Sequence, residues 1–308
     1  MLVRASVRIP LCFPPQNSMR VLLTGAGGQL GYALQASCPE GVDLIATDLA
    51  ELDLSDQGAC RRMVAELRPD WLLNGGAYTA VDQAEQQPQL AEAVNAGAPQ
   101  AFAEALAELG SGRMLQISTD FVFSGQQGHP YGPQDPVAPL GVYGATKARG
   151  EAAVLELLGP ERACVLRTSW LYGPVGKNFC LTMLRLHRER PELGVVADQV
   201  GCPTHTAGLA SACWAVLVKG VGGVQQWSDA GAASWYDFAV AIGEEGQALG
   251  LLQRQAEVKP LTTAEYPTLA QRPPYSLMDC RPSREALGLT PLHWRQGLRQ
   301  VLAAIASQ

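Results

Sequence analysis

From Arg20 onward the chain alternates short apolar runs with amphipathic helical stretches, and this rhythm constrains the fold more than any other feature of the sequence. RVLLT (20–24), VDLIAT (42–47), WLLN (71–74), RMLQIS (113–118) and ACVLRTS (163–169) are short, apolar and bounded by Gly, Pro or Asn, so they read as buried strands. Helical patterns at 57–68, 88–109 and 145–158 separate them. Such alternation predicts an α/β fold: a doubly wound, mostly parallel sheet with helices on both faces and ligands at the carboxyl ends of the strands. Beyond Tyr172 the text breaks into Pro-, Gly- and aromatic-rich segments that suit a smaller lobe. The last helix is expected over 292–306, started by Thr290-Pro291.

Composition excludes several function classes. The 308 residues carry 29 acidic and 23 basic side chains, a net charge of −6, where a nucleic-acid binder needs a basic footprint. No apolar run reaches the roughly 18 residues of a spanning helix, so no membrane partner is expected. The eight cysteines lack metal-ligand spacing and suit inert thiols in a reducing cytoplasm, the expected location. Residues 1–18 fit none of this pattern: IPLCF is too short for a signal-peptide core. They are read as an extension outside the fold, with Met19 as its functional beginning.

Directly after the first strand comes TGAGGQLG, with glycines at 25, 28 and 31 and Gln29 and Leu30 opening a helix. Glycine permits positive φ and removes the Cβ that would keep a pyrophosphate from the amides of a helix N-terminus. Gly25, Gly28, Gln29, Leu30 and Gly31 are therefore candidate dinucleotide ligands. Asp48 ends the second strand, 23 residues after Gly25, where an acidic group accepts from the adenosine ribose hydroxyls. Leu49, Ala50 and Glu51 offer no cation for a 2′-phosphate, which favours NADH over NADPH, although Arg61 or Arg62 could fold back. Asp53 and Leu54 are placed beside the adenine, with Ser55 a candidate helix cap.

The fourth strand runs into Ser118-Thr119-Asp120, and Tyr143 and Lys147 follow at an i, i+4 spacing that stacks them on one helix face. A free tyrosine titrates near about 10. A neighbouring ammonium is expected to lower that value and make Tyr143 a usable proton donor. Thr119 can donate to a substrate carbonyl.

With the dinucleotide loop, these residues carry a resemblance. The chain resembles the extended short-chain dehydrogenases/reductases and, within them, the dTDP-4-dehydrorhamnose reductase family. Seven ordered blocks support it: NGGAYTAVDQAE (74–85), STDFVFSG (118–125), YGATKARGE (143–151), RTSWLYG (167–173), KNFCLTML (177–184), DQVGCPT (198–204) and RPPYSLMD (272–279). The resemblance implies a Rossmann-type dinucleotide domain at 19–175, rejoined by about 204–224, and an interleaved substrate lobe at 176–203 and 225–308. It implies reduction at C4 of a dTDP-linked keto sugar, with Thr119, Tyr143 and Lys147 catalytic and Lys147 also on the nicotinamide ribose. Ala77, Tyr78 and Thr79 would line the cofactor, in a loop fixed by Asn74.

Sugar-nucleotide dehydratases typically carry an Asp-Glu pair after the threonine; here Asp120 is followed by Phe121, which fits simple reduction better. Other nucleotide-linked keto sugars, an epimerase, or a non-catalytic nucleotide-binding subunit are the alternatives. Asp120, Phe121, Trp170, Asn178, Gln199 and Arg272 are the candidate substrate residues. For Asn178 the idea is a phosphate at a helix N-terminus; for Trp170 and Tyr172, an aromatic face against sugar or base, with core packing as the competing account. Arg167, Lys177, Arg185 and Arg272 are candidate diphosphate partners. Some family members dimerise through magnesium. The stretch HWRQG (293–297) lacks the carboxylates that ion requires, so no metal is expected, and the chain is read as a monomer or homodimer.

Overall fold

The computed structural model describes residues 18–307. Residues 1–17, and with them nearly all of the proposed extension, lie outside the described residues. Five central strands appear where the apolar runs predict them: β1 (Met19–Thr24), β2 (Val42–Thr47), β3 (Trp71–Asn74), β4 (Arg113–Thr119) and β5 (Ala163–Thr168). A sixth, Gly223–Gln226, pairs in parallel with β5. The order across the sheet is Gly223–Gln226, β5, β4, β3, β1, β2. Every pairing is parallel. The order reverses between β1 and β3, and a crevice therefore opens at their carboxyl ends.

Parallel strands covered on both sides need side chains that are apolar in both directions. On one face Val21 and Leu23 meet Leu30 and Leu34 of α1 (Gln29–Ala36), with Leu209 and Trp214 of the helix Thr206–Lys219. On the other, Leu22, Leu72 and Met114 meet Cys60 and Val64 of α2 (Gln57–Leu67), Phe102 and Leu106 of Ala98–Leu109, and Val154 of the long helix Val142–Arg162. Leu22, Leu23 and Leu72 are wholly buried. Each contributes about 1.5–3 kcal/mol by leaving water.

The helical run 88–109 is interrupted. Pro88–Glu92 and Ala98–Leu109 are α-helical, but Ala93–Gly97 is a π turn. The caps differ from expectation in two places. Asp56, not Ser55, caps α2 by accepting from the Ala59 amide. The last helix is Trp294–Ala306, and its cap is His293 with Gln296 closing a capping box, in place of Thr290-Pro291.

A second cluster is built from the helices Phe179–Glu189, Trp235–Ala248 and Trp294–Ala306, with the parallel pair Glu192–Val196 and Glu257–Leu261. Leu184, Phe238, Ile242 and Leu298 form its centre. The short helix Arg281–Leu287, although inside 225–308, places Leu287 in the cluster of Val21 and Trp214. The described cysteines are free, and all but the half-buried Cys38 are buried.

Candidate active site

The glycine loop leaves β1 at the point where the sheet order reverses. Gly25 has φ +71, and a Cβ there would lie 2.7 Å from the backbone of Gly76 after β3. A Cβ at Gly31 would lie 2.3 Å from the Gly25 carbonyl oxygen. The two loops therefore touch, backbone on backbone, in a way a larger residue would prevent. Gly28 caps α1 without a side chain, and no acidic residue occupies the first turn. Its leading amides are free to meet an anion. The carboxylate of Asp48 lies over Gly27, within 2.2 Å of where a Cβ would sit. Leu54 packs on Gly76. Asp53 turns instead to Ser55, accepting from its amide and hydroxyl at 2.8 Å each, which lowers its carboxyl below the usual range. Arg61 pairs with Glu104 and Arg62 lies 3.7 Å from Asp56, so neither folds back towards Asp48. These features fit a dinucleotide: a cradle that side chains would fill, orphan amides for the pyrophosphate and a carboxylate for the ribose.

A buried polar ladder stiffens the strand ends. Thr24 donates to Asn74 at 2.6 Å, and Asn74 donates to Gln116 at 2.7 Å. The Thr24 hydroxyl also accepts from the Gly76 amide, so Asn74 acts on the following loop through Thr24. Farther along that loop, beside Ala77 and the exposed Thr79, Tyr78 is held from both sides by Asn95, which accepts from its amide at 2.9 Å and donates to its carbonyl at 3.1 Å. Asn95 also donates to Thr146 on the long helix. Sequence reasoning missed Asn95. It sits in the π turn, a distortion that aims a side chain differently from its α-helical neighbours. The one available hint was Gly97-Ala98-Pro99 inside a helical pattern.

Thr119 ends β4 and accepts from the Phe121 amide at 3.2 Å while its hydroxyl donates to Asp120 at 3.1 Å. The Tyr143 phenol faces Thr119, and the Tyr143 ring meets Phe121 edge-on at 5.7 Å. Lys147, buried, donates to the carbonyl of Ile117 on the same strand at 2.6 Å. Here the structure departs from expectation. Tyr143 is pushed up to about 12, because burial dominates, the Thr119 hydrogen bond only partly opposes it, and the Asp120 charge adds to the rise. Lys147 is lowered to about 8 by burial, against the pull of Glu151. Its ammonium donates to the Ile117 carbonyl, and among the described residues no hydrogen bond joins it to the phenol.

Asp120 is buried and raised to about 6, burial outweighing hydrogen bonds from Ser276 and Thr119. Ser276 thus brings the RPPYSLMD segment onto the end of β4, a contact no sequence signal announced. The segment's arginine does not face an open cleft. Arg272 holds Asp82 through two hydrogen bonds, 2.7 and 3.1 Å, and also reaches Thr268 and Ala270. Glu85, three residues after Asp82, accepts from the Val142 amide at 2.8 Å and so caps the helix bearing Tyr143.

The remaining candidates lie in the second lobe. Asn178 caps Phe179–Glu189, accepting from Leu181, while its amide donates to Gln29, Gly173 and Val175. Its side chain joins the lobe to the glycine loop. Trp170 stacks on Trp235 at 3.6 Å with 9° between the rings, and its φ of +47 is unusual for a side chain of that size. Tyr172 is wholly buried against Phe238, so core packing accounts for it. Gln199 donates to Thr263 at 3.1 Å. Arg167 is not a surface cation for a diphosphate: it is buried, paired with Glu151 at 2.7 Å and set over the Phe123 ring. Arg185 pairs with Glu189. Among the described residues no group of three His, Cys, Asp or Glu side chains could hold a metal ion. Arg295 and Arg299 engage Glu244 and Glu245 beside the last helix.

Residues 19–307 match the family model described as the RmlD substrate binding domain. The chain is similar to the dTDP-4-dehydrorhamnose reductase of Aggregatibacter actinomycetemcomitans, 39% identical over 292 residues, with 92% of this chain and 98% of that one covered. It is also similar to that of Mycobacterium tuberculosis, 42% identical over 299 residues, with 94% and 95% covered. Among solved structures, the dTDP-4-dehydrorhamnose reductase of Bacillus anthracis in complex with NADP superimposes with a TM-score of 0.86 at 36% identity, covering 93% of this chain and 99% of that one.

Proposed function

Because the chain belongs to the RmlD family of dTDP-4-dehydrorhamnose reductases, we propose that it reduces the C4 keto group of dTDP-4-dehydro-L-rhamnose to yield dTDP-L-rhamnose. The observation that carries this reading is the meeting of Tyr143 with Thr119 at the carboxyl end of β4, while Lys147 is fixed two residues earlier on the same strand. A reduced nicotinamide, when bound, supplies the hydride. Everything else falls to the chain's own residues. Thr119 turns its hydroxyl from Asp120 towards the substrate carbonyl and polarises it. Tyr143 gives its phenolic proton to the oxygen as negative charge develops there. A phenol held near 12 stays protonated at neutral pH and meets an alkoxide-like oxygen that is more basic still, so the transfer runs downhill. Lys147 restores the proton and holds the nicotinamide ribose.

The cradle supports the dinucleotide assignment: Gly25, Gly28, Gln29, Leu30 and Gly31 on the pyrophosphate, Asp48 on the ribose, Leu54 near the adenine, and the Ala77–Thr79 loop along the cofactor. With Arg61 and Arg62 engaged elsewhere, NADH is expected to serve at least as well as NADPH. The Bacillus anthracis relative was solved with NADP, so the two cofactors need direct comparison of kcat/KM; a strong NADPH preference would refute the reading of Asp48.

The decisive experiment follows nicotinamide oxidation with dTDP-, UDP- and GDP-linked 4-keto sugars, for the native chain and Tyr143→Phe. The dTDP sugar should be preferred, and the variant should lose roughly 10²–10⁴-fold in kcat. Equal rates would remove Tyr143 from the mechanism. A GDP sugar winning by a large factor would overturn the substrate assignment.

A further inference from the structure

The helix that bears Tyr143 and Lys147 carries a third group on its buried side. Glu151 follows Lys147 at i+4, so the two side chains lie one turn apart on the face that meets the sheet. They are 3% and 4% exposed. Arg167 of β5 grips the Glu151 carboxylate through three hydrogen bonds, of 2.7, 3.0 and 3.2 Å. The guanidinium is fixed in turn by the Pro133 carbonyl at 3.3 Å and by the ring of Phe123, which stacks on Tyr131. The carboxylate is thereby held in one place.

Stability alone is a poor reason for such a pair. Taking two charges out of water offsets much of their attraction, and replacing a buried pair with well-packed apolar side chains is often neutral or stabilising. What the pair supplies is a fixed negative group one turn from a buried ammonium. Among the described residues Lys147 forms no ion pair, and its Nζ donates to the Ile117 carbonyl at 2.6 Å. The other acidic groups around this part of the helix are answered elsewhere: Asp120 by Ser276 and Thr119, Glu85 at the Val142 amide, Glu92 by Arg149. A buried ammonium with no counter-charge gives up its proton easily. Burial already brings Lys147 down to about 8, and Glu151 is the group that opposes the fall.

We propose that Glu151, clamped by Arg167, is a positioning residue for proton transfer: its carboxylate keeps Lys147 charged and so able to return a proton to Tyr143. The inference rests on the role given to Lys147 above. Because Arg167 takes up the carboxylate oxygens, no direct bond to Glu151 draws the ammonium away from the site.

The test reads Lys147 itself. The chain has four lysines, at 147, 177, 219 and 259, so in full-length protein labelled with carbon-13 at lysine Cε the Lys147 signal is assigned simply, through Lys147→Arg. In the native chain it should titrate near about 8. Glu151→Gln should bring that midpoint down to about 7 or below. Since this change strands the Arg167 guanidinium, a double variant, Glu151→Leu with Arg167→Met, removes both charges, and its midpoint should fall as well. The alkaline limb of kcat should follow, with a loss of about fivefold at pH 8 and little at pH 6. A role in packing alone would lower kcat by one factor at every pH and leave the midpoint in place. A midpoint unmoved in the folded double variant overturns the proposal, and so does an alkaline limb that stays in place while the midpoint moves. The titration needs no substrate, so a native chain that fails to reduce the keto sugar would refute the proposed reaction while the midpoints still decide what Glu151 does to Lys147.

Discussion

A carboxylate with 1% exposure cannot stay charged without cost, and Asp120 shows the consequence beside Thr119. Its value is raised from 3.8 to about 6, so its contribution to stability is fully present below about pH 4 and is lost as the pH rises through 6. Asp120→Asn, which keeps an acceptor for Ser276, should therefore gain on the native chain between pH 4 and 7 by as much as about 3 kcal/mol. Urea unfolding across that range checks it, and a pH-independent difference would show that Asp120 is not the titrating group. The residue itself was legible in the sequence, directly after Thr119. Its environment was not, because Ser276 lies 156 residues away and no local spacing links the two.

The π turn Ala93–Gly97 is the element that ties the loop after β3 to the helix bearing Tyr143. Asn95 ties Tyr78 on one side to Thr146 on the other. Asn95→Ala leaves the half-buried Tyr78 amide without its acceptor and should cost roughly 0.5–1.5 kcal/mol in stability. A loosened loop should also raise KM for the dinucleotide more than it lowers kcat. Steady-state kinetics with thermal unfolding would test both, and an unchanged KM would reduce Asn95 to a purely structural residue. Helical periodicity announced the segment 88–109 but not its break, since a single extra residue in a turn barely disturbs an apolar pattern. The long helix Val142–Arg162 was legible for a different reason: Tyr143 and Lys147 share a face at any α-helical spacing. What they touch was not. The direction of Lys147 towards Ile117 depends on where β4 lies beneath the helix.

At the scale of the whole molecule, an acidic chain with a net charge of −6 must receive an anionic nucleotide sugar. Arg167, Arg185 and Arg272, arginines that could have offset that field, are paired with Glu151, Glu189 and Asp82. The net negative field should then slow encounter at low salt, and kcat/KM for the sugar nucleotide should rise by up to about twofold as ionic strength climbs to roughly 0.15 M. Stopped-flow or initial-rate measurements over that range would decide; a fall would mean that a local unpaired cation such as Lys177 governs capture. The sequence by itself determined the parallel sheet, the glycine loop after β1, the place of Thr119 at the end of β4 and the shared helix face of Tyr143 and Lys147, because each rests on periodicity or on spacing within a few residues. Only the tertiary structure decided which arginines are free, what Asp120 and Asn95 bind, and that burial lifts the Tyr143 phenol instead of lowering it. Those outcomes depend on partners brought together from distant parts of the chain and on the removal of water around them, and neither is encoded at short range.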